Sequence, residues 1–215
     1  EEREGILDRA MKQSDRYRSM KQAGASDERI RQAFVTPVEM QVFSYDGMID
    51  TIMSPMDSIR YQKSFLRTGF MSMDPHTGHV KAYVGGPDFE HFQYNMVSVG
   101  RRQIGSTVKP FLYTLAMEEG FTPCDMFLNE QPTLITEDGK AWSPRNSSKA
   151  RVGEMVTLRW GLANSNNWIS ARLMDKLSPS SLARLMHSFG IKNKIDEVVS
   201  LCLGPVDVSV EEMVT

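Results

Sequence analysis

Along the first part of the chain Leu7, Ala10, Met11, Tyr17 and Met20 recur at threes and fours within dense mixed charge, a spacing that gathers apolar side chains on one helical face. The pattern predicts an amphipathic helix stopped by Gly24. Ser26 then caps a second short helix through Phe34, with Asp27 and Glu28 in the first turn, where the helix dipole favours acids. Pro37 closes this helical region, 1–34. From 38 to 64 the helical period is lost; extended pieces such as VEMQVF are broken at Asp46-Gly47 and Ser54-Pro55, and the segment reads as an extended linker or small satellite lobe.

Residues 70–86 carry the clearest strand signal. FMSMD is followed by a Pro75-to-Gly78 turn and then by HVKAYV, with Val80, Ala82 and Val84 on one face, which predicts a hairpin. Three helix starts follow, near Ser106, at Thr157 and at Ser178-Pro179, the last helix stopping at Gly190. The remainder reads as an α-rich lobe, without internal repeats.

Composition narrows the class. Apolar residues make up 40% and charged residues 24% of 215, as in folded soluble domains, and 25 Lys+Arg against 27 Asp+Glu leave no global field to draw the chain to nucleic acid or anionic lipid. No run of about 18 apolar residues exists, and EEREGILDRA lacks the apolar core of a signal peptide, so no membrane contact is expected of this stretch. Cys124 and Cys202 lack metal-ligand spacing and read as buried free thiols, and fifteen Met read as adaptable core filling.

The chemistry concentrates in RRQIGSTVKPF, residues 101–111. Pro110 has no N–H and its ring clashes with the carbonyl four residues back, so a helix containing it starts close to Ser106. That start leaves the Ser106 N–H unpaired at the positive helix end, able to donate to an oxyanion. Lys109 lies three residues on, and a desolvated lysine with a lowered pKa can take the proton of a serine hydroxyl. Later in the chain, Ser165-Asn166-Asn167 sits on a turn between two helical stretches. Taken alone it is a polar loop whose Ser or Asn caps a helix; beside a Ser-x-x-Lys pair, Ser165 and Asn167 can relay a proton and hold a substrate amide with neutral groups.

Other readings fit less well. GRRQIGST nearly spells a phosphate-binding loop, but Ser106 stands where its lysine belongs and Pro110 disturbs the helix start. His76-x-x-His79 has no further Cys or His nearby in sequence and reads as a surface pair, so no metal is expected.

At these residues the chain resembles the transpeptidase domain of class A, bifunctional penicillin-binding proteins, within the serine-lysine acyltransferases that include class A β-lactamases. GSTVKPF matches the family's first motif and Ser165-x-Asn167 its second, while MDPHTGHVKAYVGGPDF, WSPRNSS and LGPVDVSVEEM are similar to its flanking sequence. The likeness covers roughly 67–215; less specifically, SDERIRQAF and SPMDSIRYQKSFL resemble the linker between the family's glycosyltransferase and transpeptidase domains, placing that linker at 1–66. The resemblance implies an α/β (α+β) fold: the N-terminal β-hairpin of the serine transpeptidase/β-lactamase-like sheet plus the helical lobe. It implies Ser106 as acylated nucleophile, Lys109 as its proton acceptor, Ser165 and Asn167 as the relay and substrate-holding pair, and Asn146 and Trp142 lining the approach. The implied partners are peptidoglycan stem peptides ending in D-Ala-D-Ala, β-lactams and a glycosyltransferase domain of the same parent chain, at the extracytoplasmic (periplasmic) face of the cytoplasmic membrane, with no metal or organic cofactor and no nucleic acid.

The family's third motif, Lys-Ser/Thr-Gly on a strand facing the serine, does not occur in these residues. That strand supplies an oxyanion donor, and loss of one such donor costs about 3–4 kcal/mol. The resemblance therefore implies a truncated domain that is a poor enzyme by itself and whose 70–86 hairpin shows an exposed edge open to pairing between chains. A non-catalytic scaffold that keeps the family fold, and a D,D-carboxypeptidase, are the alternatives to the transpeptidase.

Overall fold

The computed structural model describes residues 2–215, so Glu1 of the predicted helical region lies outside the described residues. The chain divides into two compact units, Glu1–Arg67 and Thr68–Thr215.

In the first unit α1 (Glu2–Gln13) and α2 (Asp15–Gln22) replace the single predicted helix. The break falls at Ser14, whose extended backbone ends one helix while its Oγ accepts the Tyr17 N–H and caps the next. Ser26 caps α3 (Asp27–Val35), as its hydroxyl and the acids after it predict. β1 (Val38–Ser44) and β2 (Gly47–Met53) then form an antiparallel hairpin turning at Asp46-Gly47, where Gly47 takes a φ of 113°. The expectation of an extended chain to residue 64 is wrong beyond Met53: α4 spans Pro55–Ser64. Pro55 opens it at a first-turn position where no N–H is needed, and Ser54 Oγ accepts the Asp57 N–H. Met11, Ile30 and Phe34 form the small core of this unit, with Met56 and Ile59 of α4 packed against it.

The second unit opens on the predicted hairpin, β3 (Phe70–Met73) with β4 (Val80–Val84), whose tight turn is held by Asp74 Oδ1 accepting the N–H groups of His76 and Thr77. Every residue of β4 is exposed. β5 (Arg102–Gln103) leads through a 3-10 turn (Gly105–Val108) into α5 (Lys109–Glu118). Two short antiparallel ladders follow: β6 (Met126–Leu128) pairs with β9 (Met155–Thr157), and β7 (Leu134–Ile135) with β8 (Ala141–Trp142). Thr157 caps α6 (Leu158–Ala163), Asn166 caps α7 (Asn167–Lys176), and Ser178 caps α8 (Pro179–Ser188) ahead of Gly190. A second 3-10 turn (Val199–Leu203) precedes β10 (Asp207–Val208), which pairs back onto β5, and α9 (Val210–Val214).

One apolar core ties these elements together. Leu112 of α5, Leu158 of α6, Ile169 and Leu173 of α7, Leu182 of α8 and Leu201 are all buried in it. Full burial of such side chains stabilises by about 1.5–3 kcal/mol each. The unit is thus a helical lobe of α5–α8 with an antiparallel hairpin, an α/β arrangement. Cys202 is buried in this core, but Cys124 is exposed in the turn after Pro123, against the expectation that both thiols are buried.

Candidate active site

The site is built where α5 passes the junction of α6 and α7. Pro110 sits in the first turn of α5, and the 3-10 turn before it carries Ser106. Ser106 is exposed, and its N–H has no acceptor among the described residues, as expected of the first donors of a helical stretch. Lys109, one turn on, is only 1% exposed.

The α6–α7 junction supplies what surrounds that lysine. Asn166 N–H bonds to Gly161 C=O and Ser165 N–H to Leu162 C=O, the pair of bonds that closes a helix when the intervening residue turns left-handed. Ser165 is that residue, with a φ of 48° at a position that glycine usually fills. Its neighbour Asn166 immediately caps the next helix, its Oδ1 accepting the N–H groups of Trp168 and Ile169 at 2.9 and 3.0 Å. The helix-capping reading of this loop and the chemical one therefore fall on adjacent residues.

With the junction set, Lys109 Nζ donates to Ser165 O at 2.6 Å, to Asn167 Oδ1 at 2.7 Å and to Ser165 Oγ at 3.0 Å. An ammonium has three hydrogens, and all three are used. Every acceptor is neutral. Burial without an opposing carboxylate favours the uncharged amine, lowering the Lys109 pKa from 10.5 to about 8, against a small upward pull from the Cys202 thiol. Cys202 itself is pushed up to about 12, first by burial. No hydrogen bond joins Ser106 Oγ to Lys109 among the described residues.

The outer wall comes from residues 144–146. Asn146 Oδ1 accepts the Asn167 N–H at 3.1 Å, Arg145 C=O accepts from Asn167 Nδ2 at 2.8 Å, and Pro144 C=O accepts from Trp168 Nε1 at 3.0 Å. Asn146 is thus joined directly to the second motif. Trp142 lies elsewhere: it pairs with Leu134 across β7–β8 and packs on the core, with no hydrogen bond to the lysine cluster among the described residues. Sequence reasoning missed Asn129, which is fully buried and holds Asn166. A single asparagine in FLNEQP carries no periodic or motif signal.

Ser165 Oγ alone among the three acceptors carries a hydrogen of its own. When Lys109 is neutral it has two hydrogens and a lone pair, and the Ser165 hydroxyl can reverse and donate to that lone pair without moving a heavy atom. The cluster can therefore hold the lysine in either protonation state. His76 and His79 are both exposed on the hairpin turn, and among the described residues no group of three or more His, Cys, Asp or Glu is arranged to hold a metal ion.

Residues 1–66 match the penicillin-binding protein middle domain, and residues 68–200 match the penicillin binding protein transpeptidase domain. The chain is 35% identical over 147 residues to penicillin-binding protein 1A of Neisseria flavescens, a match covering 66% of this chain and 18% of that protein. It is 34% identical over 152 residues to penicillin-binding protein 2D of Bacillus subtilis, covering 70% of this chain and 22% of that one. A solved structure of penicillin-binding protein 1A from Haemophilus influenzae superposes with a TM-score of 0.64 at 28% identity, over 68% of this chain and 22% of that one. The chain thus spans about a fifth of the length of these relatives. With a transpeptidase-domain match over most of the chain, it belongs to the class A penicillin-binding proteins.

Proposed function

We propose that this chain carries the acylation centre of a D,D-transpeptidase that cross-links peptidoglycan stem peptides, with Ser106 as nucleophile. The observation that carries the reading is the buried Lys109, held by three neutral acceptors and, among the described residues, with no carboxylate in an ion pair with it. Such a lysine can lose its proton near neutral pH and take one from a serine, in keeping with its place one helical turn from Ser106.

In this mechanism Ser106 Oγ attacks the carbonyl of the D-Ala-D-Ala peptide bond as its proton passes to Lys109. The unpaired Ser106 N–H, at the start of α5, donates to the oxyanion. Ser165, in contact with Lys109, passes the proton to the departing D-alanine, while Asn167 Nδ2 and Asn146 hold the peptide amide near the serine. An amine of a second stem peptide then attacks the acyl-enzyme and restores the serine; attack by water instead gives carboxypeptidase products. β-Lactams acylate the same serine, and their opened ring stays tethered. The setting that accompanies this reading is the outer face of the cytoplasmic membrane, alongside a glycosyltransferase domain.

The test is intact mass and peptide mapping of protein made from the full reading frame after incubation with a penicillin. One adduct on Ser106 supports the acyl-enzyme. A folded protein without an adduct overturns it and leaves a family-fold scaffold.

A further inference from the structure

Residues 97–105, which lead into Ser106, lie along residues 204–212 for most of their length. Val97 C=O accepts from the Glu211 N–H at 3.1 Å, and the Arg101 guanidinium meets Glu212 Oε2 at 3.1 Å. Arg102 and Gln103 pair with Val208 and Asp207 across β5–β10, Ile104 N–H donates to Val206 C=O at 3.1 Å, and Gly105 N–H donates to Gly204 C=O at 3.0 Å. Behind this strip Leu201, Val206 and Val208 are buried in the core, so it is a fixed surface.

At its end two glycines meet. Gly105 has a φ of 53° and Gly204 a φ of 72°, both in the left-handed region that side chains disfavour. A Cβ on Gly204 would stand 2.8 Å from both Gly105 N and Gly105 C, and closer still to its carbonyl oxygen. Space around Gly105 is open by comparison. Only a residue without a side chain lets the Gly105 peptide lie here, and that peptide sets the direction in which the next residue, Ser106, leaves the backbone.

We propose that Gly204, backed by the strip 204–212, is a positioning residue for the nucleophile: its bare α-carbon and its carbonyl fix the Gly105 peptide and with it the direction of the Ser106 N–H and hydroxyl. The role in catalysis rests on the acyl-enzyme reading above; the role in fixing the turn does not. Gly204 touches no reacting atom. A tilt of the Gly105 peptide swings both the oxyanion donor and the nucleophile, and misplacement by about 1 Å can cost about a hundredfold in rate.

The experiment compares Gly204→Ala with Gly190→Ala in protein from the full reading frame. Gly190 ends α8 at a φ of 103° with nothing near its Cβ position, so its replacement brings a comparable left-handed strain without the clash. Gly204→Ala is expected to slow penicillin acylation at least tenfold, in the acylation step rather than in initial binding, while the pH midpoint set by Lys109 stays put. Amide exchange at Ile104 and Gly105 is expected to quicken at least tenfold, with α7 unchanged. Gly190→Ala is expected to do neither. Equal slowing of acylation in both variants, or unchanged exchange at residues 104 and 105 in Gly204→Ala, overturns the proposal. If wild-type protein takes no adduct, the acyl-enzyme reading falls while the exchange comparison still decides whether Gly204 fixes the turn. If Gly204→Ala does not fold, Glu212→Gln slackens the same strip from its far end, with the same expected signature and the same overturning result.

Discussion

Asn166 Nδ2 donates to Asn129 Oδ1 at 2.8 Å, and neither side chain is more than 2% exposed. Asn129 spends its own Nδ2 hydrogens on the carbonyls of Ala150 and Arg151, both at 2.9 Å, while Asn166 Oδ1 takes the first N–H groups of α7. The junction that presents Ser165 and Asn167 to Lys109 is pinned from behind by this pair. Asn129→Ala leaves the buried Asn166 Nδ2 without its partner, and a loss of about 1–3 kcal/mol is expected. Urea unfolding of Asn129→Ala, Asn166→Ala and the double variant is expected to show single losses that do not add. Additive effects, or a loss under about 0.5 kcal/mol for Asn129→Ala, would show that the pair does not act as a unit.

The lowered pKa of Lys109 makes two linked predictions. Acylation of Ser106 is expected to rise with pH through about 8, as the amine loses its proton. For stability the sign is the same: between about 8 and the ordinary 10.5 the unfolded chain binds more protons than the folded one, so stability rises with pH across that window. Below about 8 the cost of a buried ammonium is fully present. Melting temperatures at pH 7 and pH 9.5 for wild type and Lys109→Met check this; the wild type is expected to gain relative to the variant. A pH-independent acylation rate would remove Lys109 as the base.

Removing parts of the cluster is expected to separate chemistry from folding. Ser106→Ala abolishes acylation with the fold intact, and Lys109→Ala slows it by about 10²–10⁴. Ser165→Gly is the more telling change. Glycine relieves the left-handed backbone at a helix end, worth about 1 kcal/mol, so the variant is expected to melt higher while acylating more slowly for want of the hydroxyl. A variant that melts higher and acylates at the wild-type rate would exclude the hydroxyl from the proton path.

The two thiols are expected to behave differently. Cys124 is exposed, whereas Cys202 is buried and its thiol is pushed up to about 12. An aromatic disulfide reagent is expected to titrate one thiol in the native protein and a second only in denaturant. Two fast thiols in native protein would mean that the core around α5 opens readily.

The parts legible in sequence are those whose physics is local. Pro110, Ser178-Pro179, Gly24 and Gly190 mark their helix ends because a missing N–H or a left-handed turn acts within a few residues, whatever lies beyond. Ser54-Pro55 shows the limit: the same pair breaks an extended chain or opens a helix, and what decides is that Met56 and Ile59 find the apolar surface of Ile30 and Phe34. Ser106, Lys109, Ser165 and Asn167 are legible as residue types at a spacing, and the structure gathers three of them within hydrogen-bonding reach. Asn129 is silent in sequence because it acts on a partner 37 positions away, and nothing within LGPVDVSVEEM tells that Gly204 meets Gly105.

The tie between Arg101 and Glu212 spans 111 positions, and the other bonds that brace the approach to Ser106 are of similar span. Closing a loop of that length costs about 4 kcal/mol in chain entropy, which short-range order cannot repay. During synthesis the turn ahead of α5 lacks these partners until residues 204–212 have left the exit tunnel. The turn that carries Ser106 therefore takes its final direction only after residues about a hundred positions downstream have been made.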